Sequence, residues 1–147
     1  MKRIKNMTGK NAIIVTVSIL LMASCAVLVC RVFSSEKLKI TEIKMAPAIS
    51  KDLTPLKPAD SFPSGTSRVF CWFKWENAEV NSQIVAKWYY TSENINILNY
   101  PFSIPRRDGS GSVLLSMPEG KTLPSGSYRI DLVVNNRILK SREFKIE

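Results

Sequence analysis

The sequence predicts an all-β protein: an antiparallel β-sandwich of about seven strands, preceded by one N-terminal transmembrane helix. Three observations carry this. Between Leu38 and the C-terminus, several segments alternate apolar and polar positions and are rich in aromatic and β-branched residues. Turn signals built from Pro, Gly, Asn and Ser separate those segments at fairly regular spacing. Ahead of them, Ala12–Cys30 is a continuous apolar run without charge.

The 147 residues allow one domain and a short extension. Of 21 basic residues, five (Lys2, Arg3, Lys5, Lys10, Arg31) fall within residues 1–33, where there is no acid. The remainder holds 16 basic residues against 12 acidic ones, so the net charge of +9 reflects membrane topology more than a nucleic-acid surface. The chain contains no histidine, which excludes Ser-His-Asp and Cys-His catalysis, His-containing zinc sites and a histidine pH switch. Of its three cysteines, Cys25 and Cys30 lie in the apolar run, leaving Cys71 alone in the outer region with no partner for a disulfide there.

From the N-terminus, residues 1–11 form a basic cytoplasmic tail and 12–33 a transmembrane signal anchor. As a helix, the 19 residues Ala12–Cys30 span roughly 28 Å, close to the hydrocarbon thickness of a bilayer. Lys2, Arg3, Lys5 and Lys10 hold the N-terminus in the cytoplasm, placing the C-terminal domain outside the membrane. An uncleaved single-pass anchor is the reading adopted. One alternative is a lipoprotein signal, in which "MASC" presents Cys25 for lipidation; Met22 stands there where leucine is usual, and the apolar run continues after Cys25. Another is ordinary cleavage after Ala26.

Residues 34–37 form an exit linker, and 38–147 the sandwich. "KLKITEIKMA" alternates Leu38, Ile40 and Ile43 with charged residues and reads as a first strand, bulged near Glu42. Residues 47–63, with Pro47, Pro55, Pro58 and Pro63, form a long loop with room for a short edge strand. "RVFCWFKWE" and "QIVAKWYYT" are strong strands, the second placing Ile84, Ala86, Trp88 and Tyr90 on one face. "INILNYPFSI" is extended, with Pro101 confining it to an edge or a bulge. "RRDGSGS" is a loop and "VLLSM" a short strand. "SYRIDLVV" and "RILKSREFKI" form a closing hairpin, because Asn135-Asn136 suits a two-residue turn; a slip in parity near Ser141 marks a bulge.

"LPSGSYRIDL", Leu123–Leu132, resembles the L-x-P-G-x-Y-x-V segment of immunoglobulin-like and fibronectin type III-like domains. The wider combination of "CWFKWENA", "KWYY" and this segment resembles bacterial membrane-anchored envelope proteins of unassigned role, over roughly Arg68–Ile146. The resemblance implies an immunoglobulin-like sandwich. It also implies that the Tyr128 hydroxyl bonds back to the chain at a sheet corner, with Pro124 and Gly126 making the preceding turn. With Cys71 alone, the antibody-type disulfide is absent from the outer region.

The densest stretch is "FCWFKW", Phe70–Trp75. Alternation puts Cys71 and Phe73 on one face, as core residues beside Trp88, and Phe70 and Trp72 on the other. The second face is either covered by the proline-rich 47–63 segment or joined by Tyr89 in an exposed aromatic patch. Such a patch suits a protein partner, or a glycan through ring stacking. Arg106 and Arg107 offer a second candidate surface, toward phosphate, anionic lipid headgroups or an acidic partner. Glu76, Glu79 and Asp131 form no recognisable catalytic pair, and no Asp/Asn-rich run suggests calcium.

The expectation is therefore a non-catalytic, membrane-anchored binding domain outside the cytoplasm, without cofactor, metal or nucleic acid. Its partner is expected to be an envelope protein through Phe70, Trp72, Tyr89, Arg106 and Arg107. A glycan or cell-wall component is the alternative, and a small hydrolase ranks last.

Overall fold

The structure, a computed structural model, describes residues 37–147. The predicted anchor 12–33 and the lipidation candidate Cys25 lie outside the described residues. Lys37–Glu147 forms one compact unit. Within it every regular element is a strand: β1 (Lys39–Ala46), β2 (Ala48–Ile49), β3 (Pro55–Leu56), β4 (Ser61–Phe62), β5 (Arg68–Glu76), β6 (Gln83–Tyr90), β7 (Ile95–Ser103), β8 (Gly109–Ser116), β9 (Gly126–Val134) and β10 (Arg137–Ile146). Seven are long, and the expected seven-strand pattern corresponds to them; β2, β3 and β4 are two-residue pairings inside the predicted 47–63 loop. Among the described residues no helix is long and apolar enough to cross a membrane.

The strands form a three-stranded sheet, β1-β5-β8, and a five-stranded sheet, β4-β10-β9-β6-β7, with β2-β3 as a separate small hairpin. All pairings are antiparallel except β4 with β10. Alternation decides which side chains meet between the sheets. Val69, Cys71, Phe73 and Trp75 of β5 face Ile84, Ala86 and Trp88 of β6 and Tyr128, Ile130 and Leu132 of β9, and all are buried in one core. The aromatics meet at angles that suit their quadrupoles: Phe73 lies edge-on to Phe102 at 5.2 Å and Trp88 edge-on to Phe144 at 6.2 Å.

The register contains the predicted irregularities. Thr41 is the extra residue of a bulge between Ile40 and Glu42. The slip in β10 falls between Ile138 and Lys140, slightly ahead of Ser141. Asn135 and Asn136 both take positive φ, 48° and 60°, making the two-residue turn between β9 and β10.

One element corrects the sequence reading. "GSGS", expected as part of a loop, is the first half of β8. Gly109 and Gly111 lie on the inner face beneath Trp75 and Phe102. A Cβ on Gly111 would come within 2.6 Å of the Phe102 ring, and one on Gly109 within 2.9 Å of the Trp75 ring. The glycines make room for two large rings, which is a packing role rather than a turn.

Candidate interaction surface

The two halves of "FCWFKW" have separate fates. Cys71, Phe73 and Trp75 are fully buried, and burial pushes the Cys71 thiol well above its ordinary range. A thiol held protonated in an apolar core is a packing group.

On the outer face of β5, Trp72 is only 8% exposed. The β2-β3 hairpin lies over it, and the indole Nε1 donates a 2.6 Å hydrogen bond to the carbonyl of Leu53. Lys44 of β1 sits 5.7 Å from the ring centroid. Phe70 is half-buried beside it. Of the two arrangements that the sequence allows, cover by the 47–63 segment is the one present at Trp72.

Tyr89 does not join these residues. Strands β5 and β6 belong to different sheets, so Phe70 and Trp72 lie on one outer face of the sandwich and Tyr89 on the other. The Arg129 guanidinium stacks over Tyr89 at 4.9 Å, and Arg129 Nε approaches Asp131 Oδ1 at 3.1 Å. Asp131 is buried, and Ser141 donates a 2.7 Å hydrogen bond to it. The postulated combined aromatic patch is therefore not assembled. Strands β5 and β6 are consecutive in the chain, but the chain crosses between sheets after β5.

Arg106 and Arg107 are exposed on a connection held firmly to the domain. Arg106 O accepts from the Trp75 indole at 3.0 Å, and Arg107 O accepts from Ala78 N at 2.8 Å. Arg107 donates to Asn77 Oδ1, and Asp108 accepts from Asn77 N. Both arginines thus project from an ordered turn.

Tyr128 makes the corner that the resemblance implied. Its hydroxyl donates a 2.6 Å hydrogen bond to Pro124 O. Gly126, at φ +146°, occupies a backbone region that side-chain-bearing residues avoid. The Tyr128 pKa is pushed up to about 12, mainly by burial and secondarily by neighbouring Tyr90.

The most exposed apolar surface lies elsewhere, on β7. This strand ends the five-stranded sheet, and Ile95, Ile97, Leu98 and Tyr100 are exposed, from 37% at Leu98 to 48% at Tyr100. Only Phe102 reaches the core. Leu98 and Tyr100 pair with the inward-facing Trp88 and Ala86, so they belong to the inner side of the sheet. They are uncovered because the facing sheet has only three strands and does not extend over them. No charged residue occurs from Asn94 to Pro105. The sequence reading identified this segment as an edge strand but did not name it as a site. The available signal was an uncharged run, apolar at both parities, in a segment that its proline confines to an edge.

No family model matches the chain, and no curated protein matches it. Among solved structures it is similar to an immunoglobulin-like protein from Pseudomonas aeruginosa, with a TM-score of 0.55 and 8% identity over 78% of this chain and 99% of that one. A Niemann-Pick type C2 protein from the Japanese carpenter ant aligns with a TM-score of 0.43 and 11% identity, over 78% of this chain and 96% of that one. An alkylpurine DNA glycosylase from Pseudomonas fluorescens, bound to DNA containing an abasic site analog, aligns at 0.41 and 15%, over 75% of this chain and 30% of that one. The first likeness shows an immunoglobulin-like fold and nothing about activity; the other two carry no argument. Among the described residues, no group of three His, Cys, Asp or Glu side chains is placed to hold a metal ion.

Proposed function

We propose that the chain is a non-catalytic interaction module of the cell envelope, anchored by residues 12–33, with its immunoglobulin-like domain outside the cytoplasm. The domain takes up an extended segment of a protein partner along β7. The observation that carries this is the long, uncharged and apolar free edge from Ile95 to Tyr100. An unpaired strand edge offers a row of backbone donors and acceptors, and a partner strand adds to it by main-chain hydrogen bonds. The flanking Ile, Leu and Tyr side chains supply apolar area and select the partner's alternate residues. Trp72 contributes from beneath its hairpin as a structural residue.

The test is a photo-crosslinking residue at Tyr100 of the full chain in its native membrane, with the same residue at Glu143 on β10 as control. A discrete protein adduct at position 100 and none at 143 is the expected result. Absence of an adduct at position 100, with the protein folded and in the membrane, would refute partner binding along this edge.

A further inference from the structure

Strand β7 is hydrogen-bonded to β6 alone, so its other long side has no strand against it. The backbone groups on that side follow from a bond just beyond the strand. Ile104 N donates to Ser82 O at 2.9 Å, which makes Ile104 and Ser82 a hydrogen-bonded pair in the β6-β7 register. Antiparallel pairs alternate between bonded and non-bonded. Phe102, Tyr100 and Leu98 therefore direct their N–H and C=O groups at β6, while Ser103, Pro101 and Asn99 direct their backbone groups away from the sheet. Pro101 has no N–H, so on the outward side it supplies an acceptor only. At the other end, the register shift between Trp88 and Tyr89 makes Ile97 an extra residue that interrupts the alternation. Between this bulge and Pro101, Asn99 is the residue that offers both an outward donor and an outward acceptor.

A second copy of the same strand matches this pattern. A two-fold axis at Asn99 sets Asn99 opposite itself in a bonded pair, and the two copies exchange both N–H···O=C bonds. An axis at Pro101 would forfeit both donors. The axis at Asn99 also places Leu98 opposite Tyr100 of the second copy, once on each side, in the closely spaced non-bonded pairs. Leu98 and Tyr100 are 37% and 48% exposed, on the inner side of the sheet where the three-stranded sheet does not reach. Each copy thus covers the apolar pair that the other leaves in water. Charge agrees with this choice of occupant. Residues 34–147 hold 16 basic and 12 acidic residues, so two copies repel as wholes, and the uncharged strip Asn94–Pro105 lets them meet without opposing like charges.

We propose that β7 pairs antiparallel with β7 of a second copy about an axis at Asn99, joining two five-stranded sheets into one. This rests on the reading of β7 as an interaction edge and names the partner. A contact along one strand is narrower than the roughly 1,000 Å² of a tight complex, so the pair exchanges and has to be trapped covalently.

The test is disulfide trapping of the full chain in its native membrane under mild oxidation, with Cys25→Ser and Cys30→Ser as background and Cys71 left in place because it is buried. Asn99→Cys is compared with Ser103→Cys, which lies on the same strand and has the same outward parity. Across the proposed axis the two copies of residue 99 face each other within disulfide reach, whereas the two copies of residue 103 are roughly 27 Å apart. Asn99→Cys should form a dimer of twice the chain mass, about tenfold or more in excess of Ser103→Cys, because docked thiols meet at an effective concentration that random encounter does not reach. Equal trapping at both positions, trapping at 103 alone, or none in folded protein would overturn the proposal. A crosslink from position 100 to a different protein, without the Asn99→Cys dimer, would overturn the second copy as partner and leave β7 an interaction edge. Absence of both adducts would overturn the two readings together.

Discussion

The two sides of the five-stranded sheet end differently. On one side β4 covers only the last residues of β10, leaving most of the outer edge of that strand unpaired, yet β10 carries Arg137, Lys140, Arg142, Glu143 and Lys145. Lys140 and Arg142 pair with Leu132 and Ile130, which face the core, so two cations lie along the open seam of the sandwich. They are satisfied there: Lys140 donates to Thr41 O at 3.3 Å, and Arg142 holds Asp60 through two bonds. On the other side β7 carries no charge and leaves four large apolar side chains in water. Inward-pointing charges are a common means of stopping a sheet edge from recruiting another strand. One edge of this molecule has that protection and the other lacks it, within a single sheet. The difference teaches that two exposed edges of one sheet can differ in chemistry: one is guarded against strand addition and the other is open to it.

The largest expected effect comes from the residue that both edges share. Trp88 pairs with Leu98 of β7 and packs against Phe144 of β10. Trp88→Ala should destabilise the domain by about 3–5 kcal/mol, through lost transfer energy and the cavity left behind. Hydrogen exchange should then rise at both edges together. A variant that loosened only β7 would show that the edges are independent units, and that the contrast between them is one of stability rather than of surface chemistry.

Most of the core was legible before the structure, because period-two alternation in "RVFCWFKWE", "QIVAKWYY" and "SYRIDLVV" assigns each side chain to a face. The Tyr128 corner was legible from a short resemblance. Sheet membership was not. Alternation says which residues share a face of one strand and nothing about which strands are neighbours, so Trp72 and Tyr89 were grouped although they lie on opposite outer faces. "GSGS" was misread for a related reason: glycine signals a turn locally, while here the need for it arises from Trp75 and Phe102, distant in sequence. The apolar exposure of β7 was not legible, because it depends on a width mismatch between two sheets, which no local pattern records.

An intermediate effect should come from Tyr128, which stacks on Phe144 of β10 at 5.0 Å and so belongs to the protected side. Its pKa is raised in the folded state from 10.0 to about 12. Between those values the unfolded chain loses this proton more readily than the folded one. The stabilising contribution is therefore complete below pH 10 and is lost as pH rises toward 12. Tyr128→Phe should lower stability at neutral pH by about 1 kcal/mol, the net worth of one hydrogen bond, and flatten the alkaline loss in urea titrations. An equally steep alkaline loss in the Phe variant would assign it to other groups. Exchange at high pH should rise on β10 before β7, giving the two edges a difference in pH response as well as in charge.

The smallest effect on stability is expected at β7, and it separates fold from function most cleanly. Leu98 is partly in water and pairs across from Trp88 without closing the core, which Phe102 does. Leu98→Lys gives β7 the kind of charge that β10 already has. Surface changes away from caps, cavities and buried networks usually alter stability by no more than about 0.5 kcal/mol, so thermal and urea midpoints should barely move. Strand addition should nevertheless fail, because an incoming strand would have to desolvate the ammonium group or leave it unpaired at the new interface. The crosslink from position 100 should disappear in this variant while the protein remains folded and membrane-bound. If the adduct persists unchanged, the partner does not read the edge, and the apolar side chains of β7 are exposed for a reason other than recognition. If the adduct and the fold are lost together, Leu98 belongs to the core, and the contrast drawn between the two edges is one of packing.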